Sequence, residues 1–486
     1  MKKIKFLLFL ASFGLMVSCN DALDIVQEGE INDETSFRTV EDLKGFLIAD
    51  IYPRVSISNE IAFTAVFTDE VGIAPDSGGQ GEELHRYNFF ATDGYASSMW
   101  ISNKTIINRV NRLIALSAQI QTSTPTEELQ KQSIIAEARA LRAFAYLQLQ
   151  SYFTTDMADP NALGAILFDF VPATNATLPR ATNAQIYDLM EQDLAFAAAN
   201  LGTNVTVNPT FNDYKYVTPA MIEAIKARMY VYRKDYVNAE TAANNAISLS
   251  GLSLSNAATY NLMWNDLQRG EIIFAASRPS SGGWGNVAAN FYFNTTDING
   301  GAFHNMGMNL YNLYNSFPTD VRRTAFVDIT SDLANNNIMI NKYPGKASAP
   351  LRNDLKIFRV SEMKLILAEC QVGKASPNLP AAAALVQEIR TARGTGQVLP
   401  TYATAQEAWR DILVERRKEL SFEGHRYVDL RRLGPIANVS IDRNVADDNI
   451  SSTPLTLPIT DHRFTFPIPQ DEVRANPNII QNPNYN

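Results

Sequence analysis

The chain of 486 residues has only two cysteines and four histidines, and it has no excess of positive charge. Cys19 and Cys370 are too few for a four-thiolate zinc site, and the histidines form neither an H-x-x-x-H nor an H-E-x-x-H motif. Walker A, G-x-G-x-x-G and G-x-S-x-G motifs are absent as well. A formal charge of −9 argues against nucleic acid as a partner, because nucleic acid needs a basic surface. We therefore expect a protein that is not an enzyme and that uses neither a metal nor a cofactor.

Long hydrophobic runs are also missing, apart from one short stretch at the N-terminus. Lys2, Lys3 and Lys5 precede the apolar residues 6–17, which are too few to cross a membrane but typical of an export signal. Ser18 and Cys19 then follow, in a pattern that resembles the bacterial lipobox, where the cysteine becomes the lipid-carrying N-terminus. We predict a signal peptide over residues 1–18, lipidation at Cys19 and an acidic tether over residues 19–35.

Helical periodicity dominates the rest of the chain. Thr218-Pro219 is an N-cap followed by proline at the first helical position, a break falls near Lys234-Asp235, and Gly251 ends the segment. This pair of helices has small and aromatic residues where a tetratricopeptide-type hairpin places them, and a further pair is predicted over 358–372 and 380–393. The sequence therefore predicts a mainly α fold with a tetratricopeptide-like helical-hairpin scaffold.

Residues 252–354 differ from the rest of the chain in composition, since they are rich in asparagine, glycine, serine and aromatic residues. We predict that they form an irregular, loop-rich subdomain packed on a scaffold of about residues 36–251 and 355–434, with a C-terminal segment over 435–486. Loops held by a rigid scaffold are where binding residues concentrate. This region is therefore the predicted ligand region.

Aromatic residues within these loops are candidates for contact with a sugar. Trp284 lies among small residues in Ser-Ser-Gly-Gly-Trp-Gly-Asn, with Asn286 and Tyr292 close by. A flat ring can stack on the C–H face of a sugar while an amide side chain bonds its hydroxyls. The alternative is that Trp284 folds back as a plug over its own subdomain. Trp264, Trp409 and Cys370 are predicted to be buried packing residues.

The segment 415–434 (ERRKELSFEGHRYVDLRRLG) carries alternating charges on a helix predicted to end at Phe422-Glu423-Gly424. Arg426 and Asp429 follow one helical turn apart, and the cluster predicts a structural ion network rather than a ligand site. The segment closely resembles the hallmark of the SusD/RagB lipoproteins of Bacteroidetes. Segments 39–52, 137–144, 362–369, 464–473 and 476–485 resemble other blocks of that family, although Asn484 replaces its usual glycine and Tyr427-Val428 its usual Trp-Phe.

The resemblance implies that residues 36–486 form one SusD-like domain. It also implies a surface-exposed outer-membrane lipoprotein that acts with a SusC-like TonB-dependent transporter as its partner. Members of the family capture nutrients, usually oligosaccharides and in some cases peptides, without cleaving them. Trp100 and Asn103 resemble the aromatic and amide residues that precede an early helix in starch-binding members, and Trp284 and Tyr292 lie in the variable loops that line their site.

Three functions stay open at the level of sequence. The first is a glycan-binding surface lipoprotein that delivers oligosaccharides or polysaccharide to its transporter. The second keeps the fold and the transporter but has a peptide as its ligand. The third is a tetratricopeptide-type envelope scaffold without a small ligand.

Overall fold

The structure is a computed structural model that describes residues 37–279, 291, 301–346, 349–447 and 453–485. The predicted signal peptide, Cys19 and the tether lie outside the described residues. Within them, no helix is both long and apolar enough to cross a membrane.

Helices make up most of the described chain, which confirms the predicted mainly α fold. In chain order the helices are α1 (Val40–Phe46), α2 (Ser58–Phe67), α3 (Glu82–His85), α4 (Gly94–Ser117), α5 (Pro125–Phe153), α6 (Asn183–Asn200), α7 (Pro219–Tyr232), α8 (Tyr236–Ser250), α9 (Ala257–Trp264), α10 (Met308–Asn315), α11 (Val321–Phe326), α12 (Val360–Gly373), α13 (Leu379–Ala392), α14 (Ala405–Glu419), α15 (Arg426–Ala437) and α16 (Gln470–Ala475).

The helix ends follow the local sequence signals. The Thr218 hydroxyl accepts a hydrogen bond from the Met221 amide and Pro219 begins α7, as predicted. Gly251 ends α8 in the left-handed region, with φ at 64°, which glycine adopts without steric cost. Helices α7 and α8 are joined by only three residues and pack along their length, as do the neighbours α12 and α13. The predicted helical-hairpin scaffold is therefore confirmed.

Short two-stranded sheets join the loop-rich region to this scaffold. The strands are β1 (Val71–Ile73), β2 (Leu163–Ile166), β3 (Arg180–Thr182), β4 (Ile272–Ala276), β5 (His304–Met306), β6 (Gly345–Lys346), β7 (Ala349–Pro350) and β8 (Leu355–Arg359). Strand β4 pairs antiparallel with β8, and β5 pairs antiparallel with β1. The long connection between β4 and β5 is consequently fixed at both ends.

An aromatic cluster ties the C-terminal segment to the early helices. Phe63 of α2 and Phe466 have ring centroids 4.4 Å apart, and Tyr427 of α15 stacks on Tyr152 of α5 at 5.6 Å. All four side chains are buried. Trp264, Trp409 and Cys370 are also buried, which confirms their predicted packing role.

Candidate ligand-binding site

The hallmark segment forms a buried ion network, as its charge pattern predicted. The network consists of Arg322, Lys342, Arg359 and Arg393 with Asp320, Glu271, Glu415, Glu419 and Glu423. Every one of these side chains is less than a tenth exposed. Glu419 accepts hydrogen bonds from three arginines and therefore lies at the centre of the network.

The electrostatics of the network fix its charge state. Burial alone would raise the pKa of Glu415, but the charges of Arg322, Lys418 and Arg390 outweigh it and hold that pKa at about 2. The charges of Arg393 and Arg359 likewise overcome burial and hold the pKa of Glu419 well below its usual range. Glu415 and Glu419 are therefore ionised at neutral pH.

Helix α14 ends at Glu419, and a turn then places Glu423 inside the network. Phe422 has φ at 59° and Gly424 has φ at 83°. A side chain on Gly424 would begin 3.3 Å from the Glu60 Cβ, so the close approach of α2 also favours glycine here. The predicted helix end at Phe422-Glu423-Gly424 is three residues late, because these residues form the turn that follows the helix.

A cavity of about 410 Å³ opens in the loop-rich region, between α10, α11 and the chain that follows them. We call it the loop-region cavity, and its lining residues are Tyr311, Arg323, Thr324, Val327, Asp328, Ile329, Ser331, Leu333 and Asn341. Its volume lies within the roughly 300–1,000 Å³ typical of small-molecule sites. Ile329 is almost fully exposed and Leu333 is half-exposed, so the cavity also offers apolar surface to a ligand.

Several polar groups in this cavity form no hydrogen bond or ion pair with the described residues. The Tyr311 hydroxyl, the Arg323 guanidinium and the Asn341 side-chain amide have no hydrogen-bond or ion-pair partner among the described residues. Asp328 accepts bonds from the Thr330 amide and hydroxyl through Oδ1 only, which leaves Oδ2 available. A guanidinium, an amide, a carboxylate and a hydroxyl together supply both donors and acceptors, as vicinal hydroxyl groups require.

The buried ion network holds two of these groups in place. Arg322 precedes Arg323 on α11, is fully buried and bonds Asp320 and Glu415 at 2.7 Å each. Lys342 follows Asn341 and donates to Glu423 at 2.7 Å and to the Ser421 carbonyl at 2.6 Å. In both pairs one residue is fixed in the interior and its neighbour lines the cavity. The positions of Arg323 and Asn341 are therefore set before a ligand arrives.

Trp284, Asn286 and Tyr292 lie outside the described residues, between flanks that are well anchored. On one side the Arg278 amide donates to Asp354 at 2.7 Å, and its guanidinium reaches the Val55 carbonyl at 2.9 Å. Phe291, between Asn286 and Tyr292 in the chain, packs its ring on Phe422 with centroids 5.5 Å apart, and beyond Tyr292 the Phe303 carbonyl accepts from the Ala74 amide at 3.1 Å. The role predicted for the three loop residues stays a prediction.

Trp100 and Asn103 lie in the interior on α4. Trp100 is 1% exposed, and its indole N–H donates to Glu472 at 2.8 Å. Asn103 is also buried, and its amide donates to the Met99 carbonyl one turn earlier at 2.9 Å. Neither side chain presents a surface to a ligand in this structure, because the C-terminal helix α16 supplies the indole with its partner.

The residues of the loop-region cavity were missed at the sequence level. Tyr311, Arg323, Asp328 and Asn341 occur singly in unremarkable local contexts, and only the packing of α10, α11 and the following chain brings them together. The composition of residues 252–354 was the one signal that indicated this region. Within the described residues, no group of three or more histidine, cysteine, aspartate or glutamate side chains is placed to hold a metal ion.

Comparison with known proteins gives a consistent assignment. Residues 333–485 match the model of the SusD family. SusD-like protein P38 of Formosa agariphila is 26% identical over 91% of this chain and 96% of its own length. SusD-like protein P2 of the same organism is 24% identical over the full length of both chains.

Solved structures share the fold along most of the chain. A SusD superfamily protein of Bacteroides thetaiotaomicron superposes with a TM-score of 0.77 at 25% identity, covering 92% of this chain and all of that one. A laminarin-binding SusD-like protein has a TM-score of 0.70 at 20% identity, with 92% and 100% coverage. This chain is therefore similar to SusD family proteins in the sequence of residues 333–485 and shares a tetratricopeptide-like helical fold with them along most of its length.

Proposed function

We propose that the protein is a cell-surface lipoprotein that binds oligosaccharides or polysaccharide and delivers them, uncleaved, to a SusC-like TonB-dependent outer-membrane transporter. The observation that carries the binding step is the loop-region cavity, where the side chains of Tyr311, Arg323 and Asn341 have no partner among the described residues and Asp328 keeps one carboxylate oxygen available. A structural relative that binds laminarin supports a glycan as the ligand. Delivery to the transporter is the part of the proposal that the resemblance to the SusD family implies.

Binding without catalysis agrees with the chemistry of the cavity. Hydrolysis of a glycosidic bond uses a pair of carboxyl groups about 5–9.5 Å apart. Among the described residues that line the cavity, Asp328 is the single carboxylate. The cavity therefore offers orientation and hydrogen bonds to a sugar, and no acid–base pair.

A lipid on Cys19 is proposed to anchor the protein in the outer membrane. Proteins of the SusD family are associated with the outer membrane, and Cys19 would carry the lipid that holds this one there. Several acyl chains give stable attachment because each buried CH₂ contributes about 0.8 kcal/mol. The mature chain, with a formal charge of about −12 once the three signal lysines are removed, is not suited to bind an anionic bilayer through its surface.

A glycan panel tests the binding step directly. Affinity electrophoresis of the mature protein in gels containing laminarin, starch, xylan, pectin and host glycans should show retardation by at least one polysaccharide. Isothermal titration calorimetry with the matching oligosaccharide then gives the affinity, and an assay for reducing ends should show no release. Lack of retardation in every gel, with peptides found by mass spectrometry of the protein purified from its native membrane, would favour the peptide ligand instead.

A further inference from the structure

A second cavity, of about 440 Å³, lies on the solvent side of α4. We call it the α4 groove. Its walls are α4, the extended chain over residues 166–178, and Glu472 from α16. No residue of the groove lines the loop-region cavity, so the two are separate features of the surface.

One wall of the groove is a row of polar side chains along α4. Lys104, Asn108 and Arg112 are spaced four residues apart and therefore follow one face of the helix, with Thr105 beside them. The Oδ1 atom of Asn108 is buried and accepts no hydrogen bond from the described residues. A buried acceptor without a donor costs free energy, which a hydroxyl group bound in the groove would recover.

The end of the groove is held rigidly. Glu472 Oε2 accepts from the Lys104 ammonium at 2.6 Å and from the Trp100 indole at 2.8 Å. Glu472 Oε1 makes no hydrogen bond to the described residues, and Lys104 has two further hydrogens to donate. A fixed acceptor and a fixed donor thus lie side by side, and a ligand that binds them need not order either side chain.

The opposite wall is apolar. Ile166, Phe168, Val171 and Leu178 line it, and Val171 is 38% exposed. A slot with donors and acceptors on one side and hydrocarbon on the other matches a pyranose ring, which has hydroxyl edges and apolar C–H faces. We infer that the α4 groove is a second saccharide-binding site.

This inference rests on the proposed function, and it has a distinct consequence. Short oligosaccharides should therefore bind with a stoichiometry of two.

The test uses Ala176→Trp, which fills the groove from its exposed rim, and Asn108→Ala, which removes the orphaned amide. Ala199→Trp, at an exposed position on α6, is the matched control. Calorimetry with an oligosaccharide of the glycan bound in the panel should give two sites for the wild type and the control. It should give one site for Ala176→Trp, and two sites with weakened binding at one of them for Asn108→Ala.

A single site in the wild type that neither groove variant affects would overturn the inference and leave the proposed function intact. Water alone would then satisfy the Asn108 acceptor. Two sites that both survive Ala176→Trp would also overturn it. If the wild type binds no glycan at all, the proposed function fails and this inference fails with it. The double variant Ala176→Trp/Arg323→Gln should lose both sites, which separates the groove from the loop-region cavity.

Discussion

Arg322 and Arg323 are adjacent on α11, yet their side chains have opposite environments. Arg322 is fully buried and bonds Asp320, Glu415 and Glu419, whereas Arg323 lines the loop-region cavity and has no partner among the described residues. The first side chain stabilises the fold, and the second is left available for a ligand. Substituting each in turn should therefore separate stability from binding.

Replacement of the outer arginine should affect binding only. Arg323→Gln removes a charged donor from the cavity, and a hydrogen bond to a charged group contributes roughly 1.5–3 kcal/mol. We expect affinity for the cognate oligosaccharide to fall about 10- to 100-fold by calorimetry, with the melting temperature unchanged. Arg410→Gln, at an exposed position on α14, is the control that should retain full affinity. Unchanged affinity in Arg323→Gln would move the site away from this cavity.

Replacement of the inner arginine should affect the fold. Arg322→Met leaves Asp320, Glu415 and Glu419 with less positive charge in the interior, and breaking a buried ion pair in this way costs about 3–5 kcal/mol. Urea unfolding should show a lower midpoint than in the wild type, whereas Arg410→Met should unfold like the wild type. A stability change below about 1 kcal/mol would mean that methionine packing replaces the ion pairs without loss.

The predicted loop aromatic has its own test. Trp284→Ala should weaken glycan binding by about 1–3 kcal/mol if the ring is a stacking anchor, as is typical of aromatic hot spots. Calorimetry measures this loss, and differential scanning calorimetry measures the melting temperature of the same variant. Retained affinity together with a lower melting temperature would identify Trp284 as a packing plug over its subdomain.

The acidic tether is expected to affect delivery of the glycan to the transporter and not the affinity of the protein for the glycan. Deletion of residues 20–35 with Cys19 retained should leave oligosaccharide affinity unchanged in the purified protein. Growth on the cognate glycan as sole carbon source should be slower, because a short tether restricts movement over the transporter. Growth equal to the wild type would show that the acidic tether has no part in uptake.

Local signals in the sequence were sufficient to predict the helical scaffold but not the candidate ligand-binding site. Thr218, Pro219 and Gly251 act within one helical turn of their own positions, so the hairpin of α7 and α8 could be predicted from them. The environment of Trp100 depends on Glu472, which is 372 residues away in the chain. The loop-region cavity likewise needs the relative placement of Tyr311, Arg323 and Asn341, which no local pattern encodes. Charge alternation in 415–434 predicted a buried network but not its partners, because Glu415, Glu419 and Glu423 pair mainly with cations outside the segment, such as Arg322, Arg359 and Arg393.

Glu70 gives the free energy of unfolding a pH dependence opposite in sign to that from Glu415 and Glu419 of the ion network. Burial raises the pKa of Glu70 to about 8, against a hydrogen bond from the Phe422 amide, and its second carboxyl oxygen is buried without a partner in the described chain. Between its ordinary value near 4.5 and this value, Glu70 is protonated in the folded protein and ionised in the unfolded chain. Unfolding then releases a proton, so this group makes the free energy of unfolding fall by roughly 1.4 kcal/mol per pH unit as the pH rises through that window.

Glu70→Gln should remove this contribution, because a glutamine still accepts the bond from Phe422 and carries no charge. Urea unfolding at pH 5, 6, 7 and 8 should show the variant gaining stability relative to the wild type as the pH rises, with the largest gain at pH 8. Glu41→Gln, whose side chain is 79% exposed, should follow the wild-type curve. Parallel curves for the wild type and Glu70→Gln would mean that Glu70 is ionised in the folded protein, stabilised by the nearby charges of Lys342 and Arg426.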